Sequence, residues 1–184
     1  HQLKNKAFYN PDWNIKHLFI GTFNPSGGDQ VNYYYGRDRN RTWEILSDIF
    51  KVCFDPKDKS NFFKALKTKK IACLDLIESI EVFDLEHYQN HVIKGYTDNA
   101  IINKKKVKRF YNTCIILDII RKNSGVSVYS TWGNGPTLKE WKYEVSKIGK
   151  LIQLVSPSML ARVPQGTEKY SYMLNDWKGK IIVC

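Results

Sequence analysis

The sequence lacks long apolar runs and clustered cysteines, which excludes several classes of protein. No segment reaches the roughly 20 apolar residues of a membrane span, and residues 1–7 contain no apolar stretch, so we expect no signal peptide there. The four cysteines form no C-x-x-C pair, which argues against zinc, redox and iron–sulfur sites. We therefore expect a cytoplasmic protein without disulfides, metal or cofactor, in which Cys73 and Cys114 are buried apolar residues.

Several catalytic motifs are also missing. Gly21–Gly28 is glycine-rich but has no Gly-Lys-Ser/Thr ending, so it is not a P-loop. The chain has no G-x-S-x-G nucleophile elbow and no H-x-E with P-C-x-x-C of the zinc deaminases. His87 and His91 lack the glutamate of a zincin and indicate a solvated helix or loop face. Any function must therefore depend on loops rather than on a metal motif.

Positive charge is plentiful. The 184 residues include 29 Lys and Arg against 18 Asp and Glu, a net charge of +11, and 42% of the residues are hydrophobic. This length and composition predict one folded domain over residues 1–184. The charge favours a polyanionic partner, most often nucleic acid, although a solubilising surface would carry the same charge.

Short apolar runs alternate with segments of helical periodicity. The predicted strands are Leu18–Gly21, Ile71–Ile77, Ser127–Ser130 and Leu151–Val155. The predicted helices are Arg41–Val52, Ser60–Lys67 capped by Ser60, Lys104–Lys122 with a basic first turn, Thr137–Ile148 capped by Thr137, and Thr167–Trp177. This order predicts a three-layer α/β/α fold whose central, mainly parallel four-stranded sheet is flanked by helices. The loops after the strands would then meet at one edge of the sheet, where such folds bind ligands.

Four segments near predicted strand ends resemble those of one enzyme superfamily. They are GTFNPSGG (Gly21–Gly28), YGRDRNRTW (Tyr35–Trp43), CLDLIES (Cys73–Ser79) and SPSMLARV (Ser156–Val163). In this order they resemble the uracil-DNA glycosylase superfamily, especially its mismatch-specific branch, with its N-P-G loop, aromatic plus N-R-F-W segment and late N-P-S-G-L loop. The third segment is similar to the D-V-I-E-S stretch of hypoxanthine-type relatives. The resemblance spans roughly residues 16–163 and implies one glycosylase-like domain.

The resemblance implies a pocket for a flipped base. Tyr35 matches the stacking position, and Asn24 matches the position that places the attacking water, although an amide cannot itself take the proton at neutral pH. Asp75 either helps at the base edge or the water, or only caps the turn after its strand. The other implied base-binding residues are Thr22, Phe23, Asn40 and Ser156. Ser156 stands where many relatives have His or Asn, so the resemblance does not determine which base is excised.

The same resemblance implies a duplex DNA surface beside the pocket. The implied DNA-binding residues are Arg37, Arg39, Ser158, Met159, Leu160 and Arg162. Met159 and Leu160 would fill the hole left by the flipped base, unless Leu160 is a core residue. Tyr33 and Tyr34 are expected to be ordinary loop or core aromatics. Trp132 would either close the pocket or pack beneath the sheet.

The resulting hypothesis is a monofunctional DNA glycosylase of base-excision repair or of defence against foreign DNA, acting by hydrolysis. Its base would be uracil, hypoxanthine or xanthine, or a bulky modified pyrimidine. We expect a monomer that binds double-stranded DNA, does not bind membranes, and is nucleoid-associated in the cytoplasm, or nuclear in a eukaryote. The alternatives are a noncatalytic reader of modified bases and a metal-dependent nuclease that uses Asp75 and Glu78.

Overall fold

The structure is a computed structural model that describes residues 3, 11–27, 31–94, 96, 98–101, 105–133 and 139–183. The described strands are β1 (His17–Gly21), β2 (Ile71–Asp75), β3 (Ile77–Val82), β4 (Val107–Tyr111), β5 (Ser127–Ser130) and β6 (Ile152–Gln153). The described α-helices are α1 (Thr42–Phe50), α2 (Lys59–Thr68), α3 (Leu85–His87), α4 (Thr113–Lys122), α5 (Lys139–Ile148) and α6 (Lys169–Lys180). A π-helical turn, Tyr88–Ile93, continues α3, and a 3-10 turn covers Asp98–Ile101.

The central sheet has the strand order β2-β1-β5-β6, and all its pairings are parallel. Helix α1 packs against α6, α4 packs against α5, and α2 packs against β2. The predicted α/β fold, a parallel four-stranded sheet flanked by helices, is therefore confirmed. The register places Gly21 beside Asp75, and Ile20 beside Ser130. The carboxyl ends of β1, β2 and β5 thus lie next to one another at one edge.

Burial of the central strand holds the layers together. All five residues of β1 are buried, as expected for a strand covered on both faces. The ring of Phe19 stacks on Tyr129 at 4.8 Å and on Trp177 of α6 at 5.8 Å. Burial of such side chains contributes about 1.5–3 kcal/mol each. None of the described helices combines the length and apolar character needed to span a bilayer.

Two predicted elements are longer than those of the structure, because two strands of a second sheet, β3 and β4, come between β2 and α4 in the sequence. The predicted strand Ile71–Ile77 ends at Asp75, and Ile77 begins β3, which pairs antiparallel with β4. Strand β4 occupies the first half of the predicted helix Lys104–Lys122, and α4 begins only at Thr113. Residues 107–110 alternate between buried and exposed positions, which is the period of a strand.

Smaller differences concern helix starts and one cysteine. Asp58, rather than Ser60, caps α2 by accepting a hydrogen bond from the Asn61 backbone N–H at 3.2 Å. Helix α6 begins after Glu168, whose carboxylate accepts from the backbone N–H of Tyr170 and Ser171. Cys73 is buried as expected, but Cys114 is exposed. The predicted cap Thr137 lies outside the described residues.

The basic stretch before α4 is tied into the fold. Arg109 is buried and forms a bidentate ion pair with Glu140 of α5, with Nε–Oε1 at 3.1 Å and Nη2–Oε2 at 3.2 Å. The Tyr111 hydroxyl donates to the same carboxylate at 2.7 Å. Lys106 and Lys108 lie 3.1 Å and 3.4 Å from acidic partners. Arg109 and Tyr111 therefore join the β3–β4 sheet to α5.

Candidate active site

A cavity of about 740 Å³ opens at the carboxyl edge of the central sheet, a volume typical of small-molecule sites. Its walls come from the ends of β1 and β2, residues 31–40, and the loops after β5 and β6. The predicted site residues that line it are Thr22, Phe23, Asn24, Tyr35, Arg37, Arg39, Asn40, Asp75, Ser156, Ser158 and Leu160. Met159 and Arg162 lie outside its lining. The fold thus brings nearly the whole predicted set together.

A buried pair, Asn24 and Asp75, forms one wall of the cavity. The Asn24 Nδ2 donates a hydrogen bond to Asp75 Oδ2 at 2.6 Å, and both side chains are buried. The strands stay together beyond their ends, because Leu76 N–H donates to the Gly21 carbonyl at 2.9 Å and Ile77 N–H donates to Thr22 at 3.1 Å. Since the Asn24 amide nitrogen faces the carboxylate, its Oδ1 is the atom that can accept a hydrogen bond from a ligand.

Gly21 makes this pairing possible. A Cβ atom built on Gly21 would collide with Asp75 Oδ1 and would lie 3.5 Å from Tyr35 Cε1. Any larger residue at the end of β1 would therefore displace the carboxylate from its position beside Asn24. The glycine is required by this close approach of side chains, rather than by an unusual backbone angle.

Tyr35 forms an aromatic wall and is held in a constrained conformation. Its φ of 59° lies in the left-handed region, which non-glycine residues rarely adopt. Its hydroxyl lies 3.3 Å from Thr131 Oγ1, and its ring meets Trp43 edge-on at 6.1 Å. Burial raises the pKa of the Tyr35 phenol well above its usual range, so the ring stays neutral. Tyr34 is fully buried and Tyr33 packs against the core, as expected.

The loop after β6 is fastened to the segment that follows Tyr35. Arg41 N–H donates to the Pro157 carbonyl at 2.9 Å, Met159 N–H donates to Arg39 at 2.8 Å, and an isolated bridge joins Asn40 to Ser158. This loop leaves the Leu160 side chain 65% exposed at the cavity. The alternative that Leu160 is a core residue is therefore wrong. Met159 is half-buried and Arg162 is exposed.

Three polar residues of the site have structural partners. The Asn40 Oδ1 accepts from the Thr42 backbone N–H at 2.9 Å and from its hydroxyl at 2.7 Å, which holds the start of α1. The Ser156 and Ser158 hydroxyl oxygens accept backbone N–H groups two residues further on, at 3.4 Å and 3.2 Å. The side-chain oxygens of Asn40, Ser156 and Ser158 therefore also shape the loops that carry them.

Tyr96 and Asp98 line the cavity, although nothing in the sequence pointed to them. The Asp98 carboxylate accepts hydrogen bonds from the Tyr96 hydroxyl at 3.1 Å and from Thr22 Oγ1 at 3.2 Å. Burial raises the pKa of Asp98, against the lowering effect of those two hydrogen bonds. Both residues follow the irregular turn after α3.

Trp132 and Thr131 complete the wall beyond β5. The Trp132 ring meets Trp141 of α5 edge-on at 5.6 Å. Trp132 therefore lines the cavity and packs against a helix rather than beneath the sheet. Within the described part of the chain, no three His, Cys, Asp or Glu side chains form a group that could hold a metal ion. Glu78 lies on β3, outside the cavity lining.

Comparison with models of known protein families gave no match, and comparison with curated proteins gave none.

Proposed function

We propose that the protein is a monofunctional DNA glycosylase that takes a base out of duplex DNA and hydrolyses its N-glycosidic bond. The observation that carries this proposal is the Asn24–Asp75 pair in a cavity that also contains the Tyr35 ring. A base stacked on Tyr35 would bring its sugar carbon toward the polar pair. Tyr35 would therefore bind the base, and the Asn24–Asp75 pair would act on its bond to the sugar.

Asn24 and Asp75 have different roles in activating the water molecule. Asn24 Oδ1 accepts one hydrogen bond from the water and orients it, whereas the Asp75 carboxylate takes its proton. The water oxygen bonds to C1′ of the sugar as the bond from C1′ to the base nitrogen breaks, and the electron pair leaves with the base. The sugar passes through an oxocarbenium-like state, which the negative charge of Asp75 stabilises. The product is an abasic site.

The lining of the cavity favours hydrolysis over a covalent route. No lysine is among the lining residues in the part of the chain that the structure describes. A Schiff base with the sugar requires such an amine. We therefore assign the nucleophile to water.

The surface beside the cavity supports a DNA partner. Leu160 is exposed and apolar at the cavity, where it could take the place of the flipped base in the stack. Arg39 and Arg162 are exposed on neighbouring loops, and the chain carries a net charge of +11. Phosphate contacts of this kind would make binding strongly dependent on salt.

The test uses duplex oligonucleotides, each with one modified base, incubated with protein in parallel in EDTA and in Mg²⁺. We expect wild type to produce strand breaks only after alkali, as abasic sites do. Asn24→Ala should lower the rate by about 10²–10⁴-fold, whereas Lys150→Ala, an exposed change outside the lining, should not. Binding with base flipping but no abasic site on any substrate would indicate the noncatalytic reader. Breaks that need no alkali and disappear in EDTA would indicate the nuclease.

A further inference from the structure

The described lining of the cavity is richer in acidic than in basic side chains, unlike the protein as a whole. Among the residues that the structure describes, the lining contains three aspartates, Asp38, Asp75 and Asp98, and two cationic residues, Arg37 and Arg39, whereas the chain as a whole carries +11. Asp38 and Arg39 are exposed, so water screens their charges. The less exposed charges are those of Asp75, Asp98 and Arg37. In the inner part of the cavity, two acidic side chains therefore lie with one guanidinium.

Asp98 is held in place as a hydrogen-bond acceptor. Each of its carboxylate oxygens receives one hydroxyl hydrogen bond, from Tyr96 and from Thr22. A carboxylate oxygen has two lone pairs, so each can accept a further contact from the cavity. The Arg37 guanidinium lies 4.5 Å from the centre of the Tyr96 ring and donates to the Tyr96 carbonyl at 3.3 Å. Arg37 is thus close enough to offset part of the Asp98 charge.

This arrangement is unfavourable for a base that leaves as an anion. A neutral base carries away the electron pair of the broken bond, so donors or cations near it lower the barrier. Here the carboxyl groups of Asp75 and Asp98 outnumber the Arg37 guanidinium, and Ser156 offers a neutral hydroxyl, whose oxygen accepts from Ser158 N–H at 3.4 Å. A base with a positively charged ring does not meet this difficulty, because it takes up the electron pair of the broken bond and leaves as a neutral molecule.

The apolar part of the lining also suits a cation. Phe23, Tyr35 and Trp132 add aromatic side chains to the lining, beside Tyr96, whose ring already carries the Arg37 guanidinium and lies 6.4 Å from the Phe23 ring, centre to centre. Aromatic faces attract cations by about 0.5–2 kcal/mol each, most strongly away from water. Carboxylates and aromatic rings are therefore combined in one binding space.

Building on the proposed glycosylase function, we propose that its substrate is a purine made cationic by alkylation of a ring nitrogen, and that the Asp98 carboxylate selects it. When the C1′–N bond breaks, its electron pair neutralises the positive ring. The water oxygen bonds to C1′, and the water proton goes to Asp75. Asp98 changes no bond and acts as a specificity-determining residue.

Binding tests the charge preference without catalysis. The probes are duplexes with 2′-fluoro-7-methylguanine or 2′-fluoroguanine, in which the fluorine blocks cleavage of the glycosidic bond. We expect wild type to bind the methylated duplex about 10-fold more tightly, which corresponds to about 1.4 kcal/mol. Asp98→Asn should abolish the preference, Asp98→Glu should keep part of it, and Asp118→Asn, the same charge change on α4, should keep all of it. Thermal unfolding checks that each variant folds.

Measured rates of base excision distinguish a failure of this inference from a failure of the glycosylase proposal. We expect wild type to release 7-methylguanine faster than uracil from matched duplexes. Asp98→Asn should lower the ratio of these two excision rates by about 10-fold. Equal binding of methylated and unmethylated duplexes by wild type overturns the inference. Rapid excision of uracil, unchanged in Asp98→Asn, also overturns it but leaves the glycosylase proposal intact. An absence of abasic sites on all substrates overturns the glycosylase proposal, and the binding preference still decides the role of Asp98.

Discussion

The side-chain amide of Asn24 donates a 2.6 Å hydrogen bond to the Asp75 carboxylate where strands β1 and β2 end side by side. The two residues are far apart in the sequence, and both are buried. A buried carboxylate requires donors, so Asn24 stabilises the charge of Asp75 while its own orientation becomes defined. The hydrogen bond between Asn24 and Asp75 therefore has both a structural role and a proposed catalytic role.

We expect Asn24→Asp to destabilise the protein at neutral pH, because two buried carboxyl groups would share one site. Such a pair raises at least one pKa, so the loss of stability should grow as the pH rises through that raised pKa and shrink when acid protonates one group. The free energy of unfolding should fall by roughly 3 kcal/mol at neutral pH, measured by urea denaturation across pH.

Asn61→Asp is a matched control, since Asn61 Nδ2 also donates to an aspartate, Asp58 Oδ2, at 2.6 Å, but on the exposed surface. Water screens that pair, so we expect little change there. Equal effects in both variants would contradict a special role of burial at Asn24.

Gly21→Ala should damage the site, because the added Cβ would collide with Asp75 Oδ1. We expect a loss of roughly 1–3 kcal/mol of stability, together with loss of abasic-site formation. The control is Gly179→Ala in α6, where an added Cβ meets nothing within 4 Å. There the better helix propensity of alanine should stabilise the protein by up to about 1 kcal/mol. Full activity in Gly21→Ala would show that the Asp75 position tolerates displacement.

Leu160→Ala should leave stability unchanged, because the side chain is 65% exposed. If Leu160 fills the space of a flipped base, the variant should lose about 1–3 kcal/mol of productive DNA binding, judged from single-base stacking energies. Flipping can be followed with 2-aminopurine beside the target base. Leu85→Ala removes an equally exposed leucine on α3 (71%) and should have no effect. A parallel loss in both variants would argue against a wedge at Leu160.

His17 should make the fold sensitive to mild acid. Burial, helped by the charge of Lys16, lowers the pKa of His17 to about 4, against about 6.5 in the unfolded chain. The unfolded state therefore binds the extra proton first, and stability present above pH 6.5 is lost progressively as the pH falls toward 4. This effect amounts to about 3 kcal/mol. Urea denaturation should show that His17→Phe removes this slope, whereas His91→Phe, at an exposed position, retains it.

The sequence by itself determined much of the architecture. Apolar runs that end in glycine, proline and serine located β1 and β5, and helical periodicity located α1, because burial and hydrogen bonding of these elements depend on residues close in the chain. The same loop segments supplied Asn24, Tyr35, Asp75 and Leu160, all of which line the cavity. The local sequence pattern did not reveal β4. Its five residues lie between a basic segment and an apolar helix, and they were predicted as part of that helix.

Only the tertiary structure decided which side chains meet. The hydrogen bond between Asn24 and Asp75 depends on the β1–β2 register, which is set by strand pairing over a long separation in sequence. Asp98 reaches the cavity through hydrogen bonds to Thr22 and Tyr96, and no local pattern encodes that approach. The balance of acidic and basic side chains at the cavity is likewise a property of packing: it depends on which few charged residues converge there, whereas composition records only their sum.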